Sequence, residues 1–164
     1  MLRVLIADDE SKVCQLIEKL VDWGALGMEV VAVAENGIEA LEKIKEFYPD
    51  IVITDIRMPG YDGLDLIRLG KEEAPNTEFV IISGYRHFEY AQMAIRYGVN
   101  AYLLKPIRKD ELTETLKRLS AHFKEQTEQL SLEEKRQRAI RSDEKNLRQA
   151  FLQDLVGRRN KEVL

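Results

Sequence analysis

Acidic side chains stand where two short apolar runs of the sequence end. Asp8 and Asp9 follow the run at residues 2–7, and Asp55 follows the run at residues 50–54. A buried carboxylate is costly without a compensating partner, so a cation is expected beside these groups. Oxygen-only ligands favour a hard divalent ion, and Mg²⁺ prefers few carboxylates, several waters and a phosphate group. If the ends of these runs meet in the fold, the carboxylates predict a magnesium site that also receives an anionic phosphoryl group.

A hydroxyl and an ammonium group follow two later apolar runs in the same way. Ser83 closes the run at residues 78–83, and Lys105 follows the run at residues 101–104. The lysine can pair with a carboxylate or a phosphoryl oxygen, and the serine can donate a hydrogen bond to that oxygen. Asp55, between a metal and an ammonium group, would stay ionised and could act as a nucleophile. Phosphoryl transfer needs mostly positioning and charge neutralisation, which these side chains supply.

A single acid at the end of a strand is more often a turn former or a helix cap than a functional group. The acidic residues after the first run also fit an N-terminal cap, with Ser11 as the capping side chain. The prediction of a site therefore depends on the coincidence of functional side chains at several corresponding positions rather than on Asp55 alone.

Five apolar runs alternate with segments whose apolar residues recur every three or four positions. Such alternation is typical of strand–helix–strand units with a parallel sheet covered on both faces. The third and fourth runs are continuously apolar, as expected for strands buried on both faces. The sequence thus predicts a doubly wound (βα)5 α/β domain, in which ligands bind at the carboxyl ends of the strands. The predicted strands are Leu2–Ala7, Glu29–Ala34, Asp50–Thr54, Glu78–Ser83 and Ala101–Leu104.

After Pro106 the sequence contains few residues that interrupt a helix: no proline follows, and no glycine appears before Gly157. Its apolar residues share the a and d positions of one heptad register, with several polar residues in the same seam. A helical extension is expected, either as a weak coiled coil or as a solvated linker. The capping-box pattern Ser131–Glu134 favours, as an alternative, a break and a new helix at that point. The apolar positions are Leu112, Leu116, Leu119, Phe123, Leu130, Ile140, Leu147 and Phe151.

The composition excludes several classes of protein. Residues 1–108 carry 12 basic and 18 acidic side chains, and residues 109–164 carry 13 and 11, so neither part is basic enough for a free-standing nucleic-acid binder. No apolar run approaches the length of a membrane span, and no membrane partner is expected. The single cysteine, Cys14, rules out an internal disulfide framework and favours a reducing cytoplasm.

With these residues placed, residues 1–120 resemble the receiver domain of bacterial two-component response regulators. The matching motifs are LIADDE at 5–10, DIRMPG at 55–60, DG at 62–63, SG at 83–84 and YLLKP at 102–106. The resemblance implies a flavodoxin-like receiver fold with strand order 2-1-3-4-5. It also implies a signalling module with weak self-phosphorylation and self-dephosphorylation rather than an enzyme.

The same resemblance implies a role for each residue of the acidic site. Asp55 would accept a phosphoryl group from a phosphohistidine of a sensor histidine kinase. Asp8, Asp9 and Asp55 would hold Mg²⁺, with the backbone carbonyl of Arg57 as a further ligand.

Three further positions carry implied roles. Ser83 and Tyr102 resemble the switch pair of receivers, and Lys105 would bind the phosphoryl group. The bond between Lys105 and Pro106 is commonly cis in this family. We infer that phosphorylation draws Ser83 inward and lets Tyr102 turn toward the core. The face of the fourth helix and fifth strand would then be free to pair with another receiver, as a homodimer, or to release an output domain. The bulky side chains of Arg57 and Tyr85 are expected to overhang the site.

The sequences SGYRHFEYA at 83–91 and GVNAY at 98–102 resemble the subgroup of regulators with an AraC-type helix-turn-helix output domain. Residues 121–164 are then expected to be a helical linker, the start of the connector, in a truncated chain. DNA would be bound only through an output domain that this chain lacks.

Two other functions fit part of the pattern. One is a phosphatase with an aspartyl nucleophile. The pattern of those enzymes has a second aspartate two residues after the nucleophile, as the acid or base, and Arg57 at that position of this chain argues against this function. The other is an interaction module in which the acidic site is vestigial. The presence of the complete set of site residues argues against this function: Asp8, Asp9, Asp55, Ser83 and Lys105.

Overall fold

The computed structural model describes residues 1–84 and 88–163. Within these residues five strands alternate with five helices, as the apolar pattern predicts. Three strands have the predicted bounds, whereas β2 begins one residue earlier and β3 one residue later. The elements are β1 (Leu2–Ala7), α1 (Ser11–Leu20), β2 (Met28–Ala34), α2 (Gly37–Phe47), β3 (Ile51–Thr54), α3 (Gly63–Glu73), β4 (Glu78–Ser83), α4 (Phe88–Arg96), β5 (Ala101–Leu104) and α5 (Lys109–Val163).

The five strands form one parallel sheet in the order β2-β1-β3-β4-β5. This confirms the predicted doubly wound α/β fold and its strand order. Every residue of β3 is buried, as are the residues of β4 after Glu78, because helices cover both faces of the sheet. The order places the carboxyl ends of β1 and β3 side by side at the centre of the sheet, where ligands bind in such folds.

Gly70 lies inside α3, where glycine disfavours a helix by about 1 kcal/mol. A β-carbon at this position would come within 2.8 Å of the Phe79 ring and 3.2 Å of Ile44. The glycine therefore lets α3 pack closely against the sheet, and that packing offsets its low helix propensity.

Side-chain caps begin two of the helices. Asn36 accepts a hydrogen bond from the Glu39 backbone at the start of α2, and Asp62 forms a capping box with Asp65 at the start of α3. The predicted cap at Ser11 is wrong. Ser11 is already the first helical residue of α1, and Glu10 takes the capping position without a side-chain hydrogen bond.

The chain divides into two compact units, Met1–Ser120 and Ala121–Leu164. In the first unit, α5 buries Leu112, Leu116 and Leu119. The predicted alternative of a break at Ser131 is wrong, because α5 continues through residues 131–134. No helix in the part of the chain that the structure describes is long and apolar enough to cross a membrane.

Candidate functional site

Asp8, Asp55 and Lys105 meet at the carboxyl edge of the sheet. Residues Ala7 and Thr54 are paired across β1 and β3, so the aspartates that follow them lie side by side. The Nζ atom of Lys105 lies 3.2 Å from Oδ2 of Asp8 and 3.1 Å from Oδ2 of Asp55. Both carboxylates are buried, so they share one ammonium group as their common counter-ion.

Backbone groups fix the second oxygen of each buried carboxylate. The Glu10 N–H donates to Oδ1 of Asp8 at 2.9 Å, and the Ile56 N–H donates to Oδ1 of Asp55 at 2.7 Å. Hydrogen bonds to the charged form favour an ionised carboxylate. Each carboxylate is thus oriented by a backbone donor on one oxygen and by Lys105 on the other.

The site places two negative charges and one positive charge where little water reaches them. Burial raises the pKa of Asp8, and the neighbouring Asp55 adds to the rise, against the opposing effects of the Glu10 N–H and Lys105. Burial alone would lower the pKa of Lys105, but its hydrogen bonds and attraction to Asp55 and Asp8 outweigh burial and raise that pKa. The lysine therefore remains an ammonium group throughout the neutral range.

Asp9 completes a cluster of oxygen donors. One carboxylate oxygen from each of Asp8, Asp9 and Asp55 lies within 4.8 Å of the others, and Asp9 is exposed to solvent. Hard oxygen donors at this spacing, with one side open to water, fit Mg²⁺, which keeps several of its own waters. The net excess of negative charge left after the Lys105 pairing is the electrostatic reason for a cation to bind here.

Ser83 and Tyr102 lie beside this cluster on the neighbouring strands. Ser83 is fully buried at the end of β4, and its backbone carbonyl accepts a hydrogen bond from the Lys105 N–H at 2.8 Å. Burial raises the pKa of Tyr102, and a hydrogen bond with the Ser83 side chain partly opposes that rise. The half-buried Tyr102 is therefore already directed toward Ser83. The Lys105–Pro106 peptide bond is cis.

Arg57 follows Asp55 by two residues and has an exposed side chain. Its Nη2 atom donates to the Tyr90 hydroxyl at 3.4 Å, a long hydrogen bond that links the loop after β3 to α4. The sequence gives no indication of this contact, because the two residues are 33 positions apart. Tyr85, the other side chain expected above the site, lies outside the described residues.

Two features near the site are also absent from the sequence-based prediction. A β-carbon on Gly63 would lie 2.3 Å from the backbone carbonyl oxygen of Asp55, so the start of α3 can approach β3 only with glycine there. The Cys14 thiol donates to the backbone carbonyl of Asp8 at 3.6 Å and so contacts the loop that carries the acid pair. The DG motif at 62–63 is the one signal that could have indicated the first of these.

Comparison with known proteins agrees with this geometry. Residues 4–117 match the response regulator receiver domain family. The chain is 41% identical over 126 residues to the uncharacterized transcriptional regulatory protein YesN of Bacillus subtilis, covering 77% of this chain and 34% of that relative. It thus spans about a third of the length of that relative.

Solved structures give the same assignment. The receiver domain of AraT, a response regulator from Geobacillus stearothermophilus, matches with 40% identity and a TM-score of 0.73, covering 77% of this chain and 98% of that one. A chain of the CheX–CheY–BeF3–Mg²⁺ complex from Borrelia burgdorferi matches with 25% identity and a TM-score of 0.65, covering 70% and 86%. The chain belongs to the response regulator receiver domain family.

Proposed function

We propose that this chain accepts a phosphoryl group on Asp55 from a phosphohistidine of a sensor histidine kinase. Receiver domains are signalling modules rather than classical enzymes. The observation that carries the proposal is the position of Asp55, which is buried 3.1 Å from the Lys105 ammonium group beside a second buried carboxylate. A carboxylate paired with an ammonium group at the carboxyl edge of a parallel sheet is placed to act as a nucleophile.

The transfer exchanges one bond to phosphorus for another. A carboxylate oxygen of Asp55 forms a bond to phosphorus while the bond from phosphorus to the donor nitrogen breaks, and the imidazole leaves with the electron pair. The Lys105 ammonium group pairs with the negative charge on the phosphoryl oxygens, and the backbone N–H of Ile56 orients the Asp55 carboxylate. Phosphoryl transfer depends mainly on such positioning and charge stabilisation.

The transfer is proposed to need Mg²⁺. Asp8, Asp9 and Asp55 and the backbone carbonyl of Arg57 would hold the ion, which when bound neutralises charge on the carboxylates and on the incoming phosphoryl group. The oxygen-only donor set and its spacing support this assignment. The presence of Mg²⁺ with a CheY protein in the Borrelia complex is a further support.

Ser83 and Tyr102 are proposed to report the state of Asp55. The Ser83 hydroxyl can donate to a phosphoryl oxygen, and doing so would cost it the hydrogen bond that it shares with Tyr102. Tyr102 would then occupy a different position beside α4, which biases a pre-existing equilibrium of that face toward the active form.

The output of this switch is proposed to be transcriptional. Residues 1–120 would act as the receiver and residues 121–164 as the helical connector to an AraC-type DNA-binding domain. The similarity to YesN, which is described as a transcriptional regulatory protein, supports this proposal. Phosphorylation would favour a homodimer, so a phosphoryl mimic should lower the dissociation constant that sedimentation over a concentration series gives; an unchanged constant would contradict this.

The decisive experiment is intact-mass spectrometry after incubation with a small phosphodonor and Mg²⁺. The wild-type chain is expected to gain one phosphoryl group. The Asp55→Asn variant is expected to gain none, since the amide is not a nucleophile of this kind, and chelation of Mg²⁺ should prevent the gain in the wild type.

The matched control is Asp65→Asn, which alters an aspartate of the α3 capping box and leaves the cluster of oxygen donors unchanged. It should be labelled like the wild type. Labelling of Asp55→Asn at the wild-type level would refute Asp55 as the acceptor.

A further inference from the structure

The second unit of the chain carries an apolar face that is exposed to solvent. The side chains of Leu130, Ile140 and Leu147 are 65%, 52% and 71% exposed, although all three occupy the a or d positions of one heptad register. Phe123 occupies the same register and is partly buried. A row of large apolar side chains on one side of a helix is typical of a surface that binds another helix.

The order of residues in this row is symmetric about residue 135. Phe123 and Leu147 lie equally far from that point, as do Leu130 and Ile140, and as do Glu133 and Gln137. In an antiparallel pair of helices, each a position faces a d position of the other helix. An antiparallel pair centred on residue 135 would therefore place each apolar residue of this row against an apolar residue, and the polar seam residues against one another, Glu133 facing Gln137 and Gln126 facing Glu144.

The polar layer distinguishes the two possible orientations. An antiparallel pair sets Glu133 of one helix against Gln137 of the other, where the amide can donate to the carboxylate. A parallel pair sets Glu133 against Glu133, which brings two like charges together in the seam. The antiparallel arrangement thus removes the main defect of this seam.

The charges of the helix point to the same orientation. Residues 121–134 carry four glutamates and one lysine, whereas residues 135–148 carry six basic and two acidic side chains. An antiparallel pair sets the acidic segment of each helix beside the basic segment of the other. A parallel pair sets each segment beside its own copy, which repels at low ionic strength.

We propose that this face binds a second copy of the same chain, with the two helices antiparallel and centred on residue 135. Two observations indicate a second copy as the partner: the complementary charges of the two halves of the helix, and the symmetric order of its apolar residues. The contact lies in residues 121–149 and does not depend on the acceptor chemistry of Asp55.

Sedimentation over a concentration series tests whether the face forms this contact. Leu130→Lys should raise the dissociation constant of the dimer on the order of 100-fold or more, because the dimer contains the residue twice and loses both apolar layers. Leu132→Lys is the matched control. Leu132 is 66% exposed on the same helix but lies outside the seam, so its replacement should change the constant by less than about threefold.

Disulfide cross-linking tests the orientation. Thr127 and Arg141 flank the seam on the same side, and in the antiparallel pair Thr127 of one helix lies almost opposite Arg141 of the other. A mixture of full-length Thr127→Cys and Arg141→Cys chains should therefore form a mixed disulfide, and neither variant alone should dimerise covalently. Gln126→Cys alone would cross-link only in a parallel pair. In the antiparallel pair residue 126 of one helix lies opposite residue 144 of the other, which is 18 residues from the second copy of Gln126.

Each outcome decides the proposal. A mixed disulfide together with weakening by Leu130→Lys alone supports it. A cross-link of Gln126→Cys with itself, equal weakening by both lysine variants, or a monomer at every concentration would overturn it. The Asp55→Asn chain should dimerise like the wild type, so a failure of this proposal is separable from a failure of the phosphoacceptor assignment.

Discussion

The same helix contains apolar residues with opposite surroundings in the two units of the chain. In the first unit, Leu116 and Leu119 on α5 are 0% and 4% exposed. In the second unit, Leu130 and Leu147 hold equivalent heptad positions and are more than half exposed. Regular apolar spacing therefore specifies which side of a helix is suited to burial, but the partner that covers it must come from elsewhere in the chain or from another molecule.

Charged side chains show a similar contrast. In the first unit, the buried carboxylates of Asp8 and Asp55 are compensated by one lysine and by backbone donors. In the second unit, the charged side chains whose exposure the structure describes are all exposed. The buried charges of the first unit thus form a site with defined geometry, whereas the described charges of the second unit are solvated and are held in no such geometry within the chain.

The largest difference between the units should appear in their response to truncated leucines. Leu116→Ala removes a fully buried side chain and should lower the free energy of unfolding by about 2–5 kcal/mol. Leu132→Ala removes a side chain that is 66% exposed and should change it by about 0.5 kcal/mol or less. Urea denaturation of both variants measures the difference, and comparable losses would show that the second unit has a buried core of its own.

A smaller effect is expected where glycine permits close packing beside the site. The β-carbon of Gly63→Ala would meet the Asp55 carbonyl, and the clash should cost about 1–3 kcal/mol although alanine favours helix. Gly24→Ala is the control, because the nearest atom to its β-carbon is 3.9 Å away. Thermal or urea unfolding of the two variants is the measurement. A neutral Gly63→Ala would mean that α3 and β3 can separate without cost.

The smallest effect concerns the ionisation of Asp8. Its pKa is raised in the folded chain above the ordinary value of 3.8, so ionisation of this carboxyl group opposes folding at neutral pH. Below pH 3.8 the group is protonated in both states and this cost is absent; the cost develops as the pH rises through the raised pKa. Asp8→Asn should therefore increase the free energy of unfolding at neutral pH in a chelating buffer, and the gain should disappear in acid.

Asp9→Asn serves as the control for that measurement, because Asp9 belongs to the same cluster but is exposed. Its effect on stability should be smaller at every pH. A loss of stability in Asp8→Asn at neutral pH would indicate that the ion pair between Lys105 and Asp8 outweighs the cost of burying the ionised carboxylate.

The sequence was sufficient to predict the fold and to name the residues that meet at the carboxyl edge. Continuously apolar runs specify buried parallel strands, and the strand order places Asp8 beside Asp55. Because strand ends are local features, residues such as Lys105 can be assigned to that edge before any contact is known.

Contacts between distant residues were beyond such reasoning. The bond from Arg57 to Tyr90 and the approach of Gly63 to Asp55 depend on how α3 and α4 pack, which no periodicity records. The capping-box pattern at Ser131–Glu134 wrongly predicted a break in the helix. Residues 131–134 can continue a helix as well as begin one, and no proline or glycine nearby interrupts α5.

The position of Cys14 determines how this protein responds to thiol reagents. The thiol is 2% exposed, and burial together with the nearby Asp8 raises its pKa to about 11. At pH 7.5 only about one such thiol in a few thousand is the reactive thiolate. The native chain should therefore resist alkylation and oxidation, so a cysteine introduced on the surface can be labelled selectively without removing Cys14.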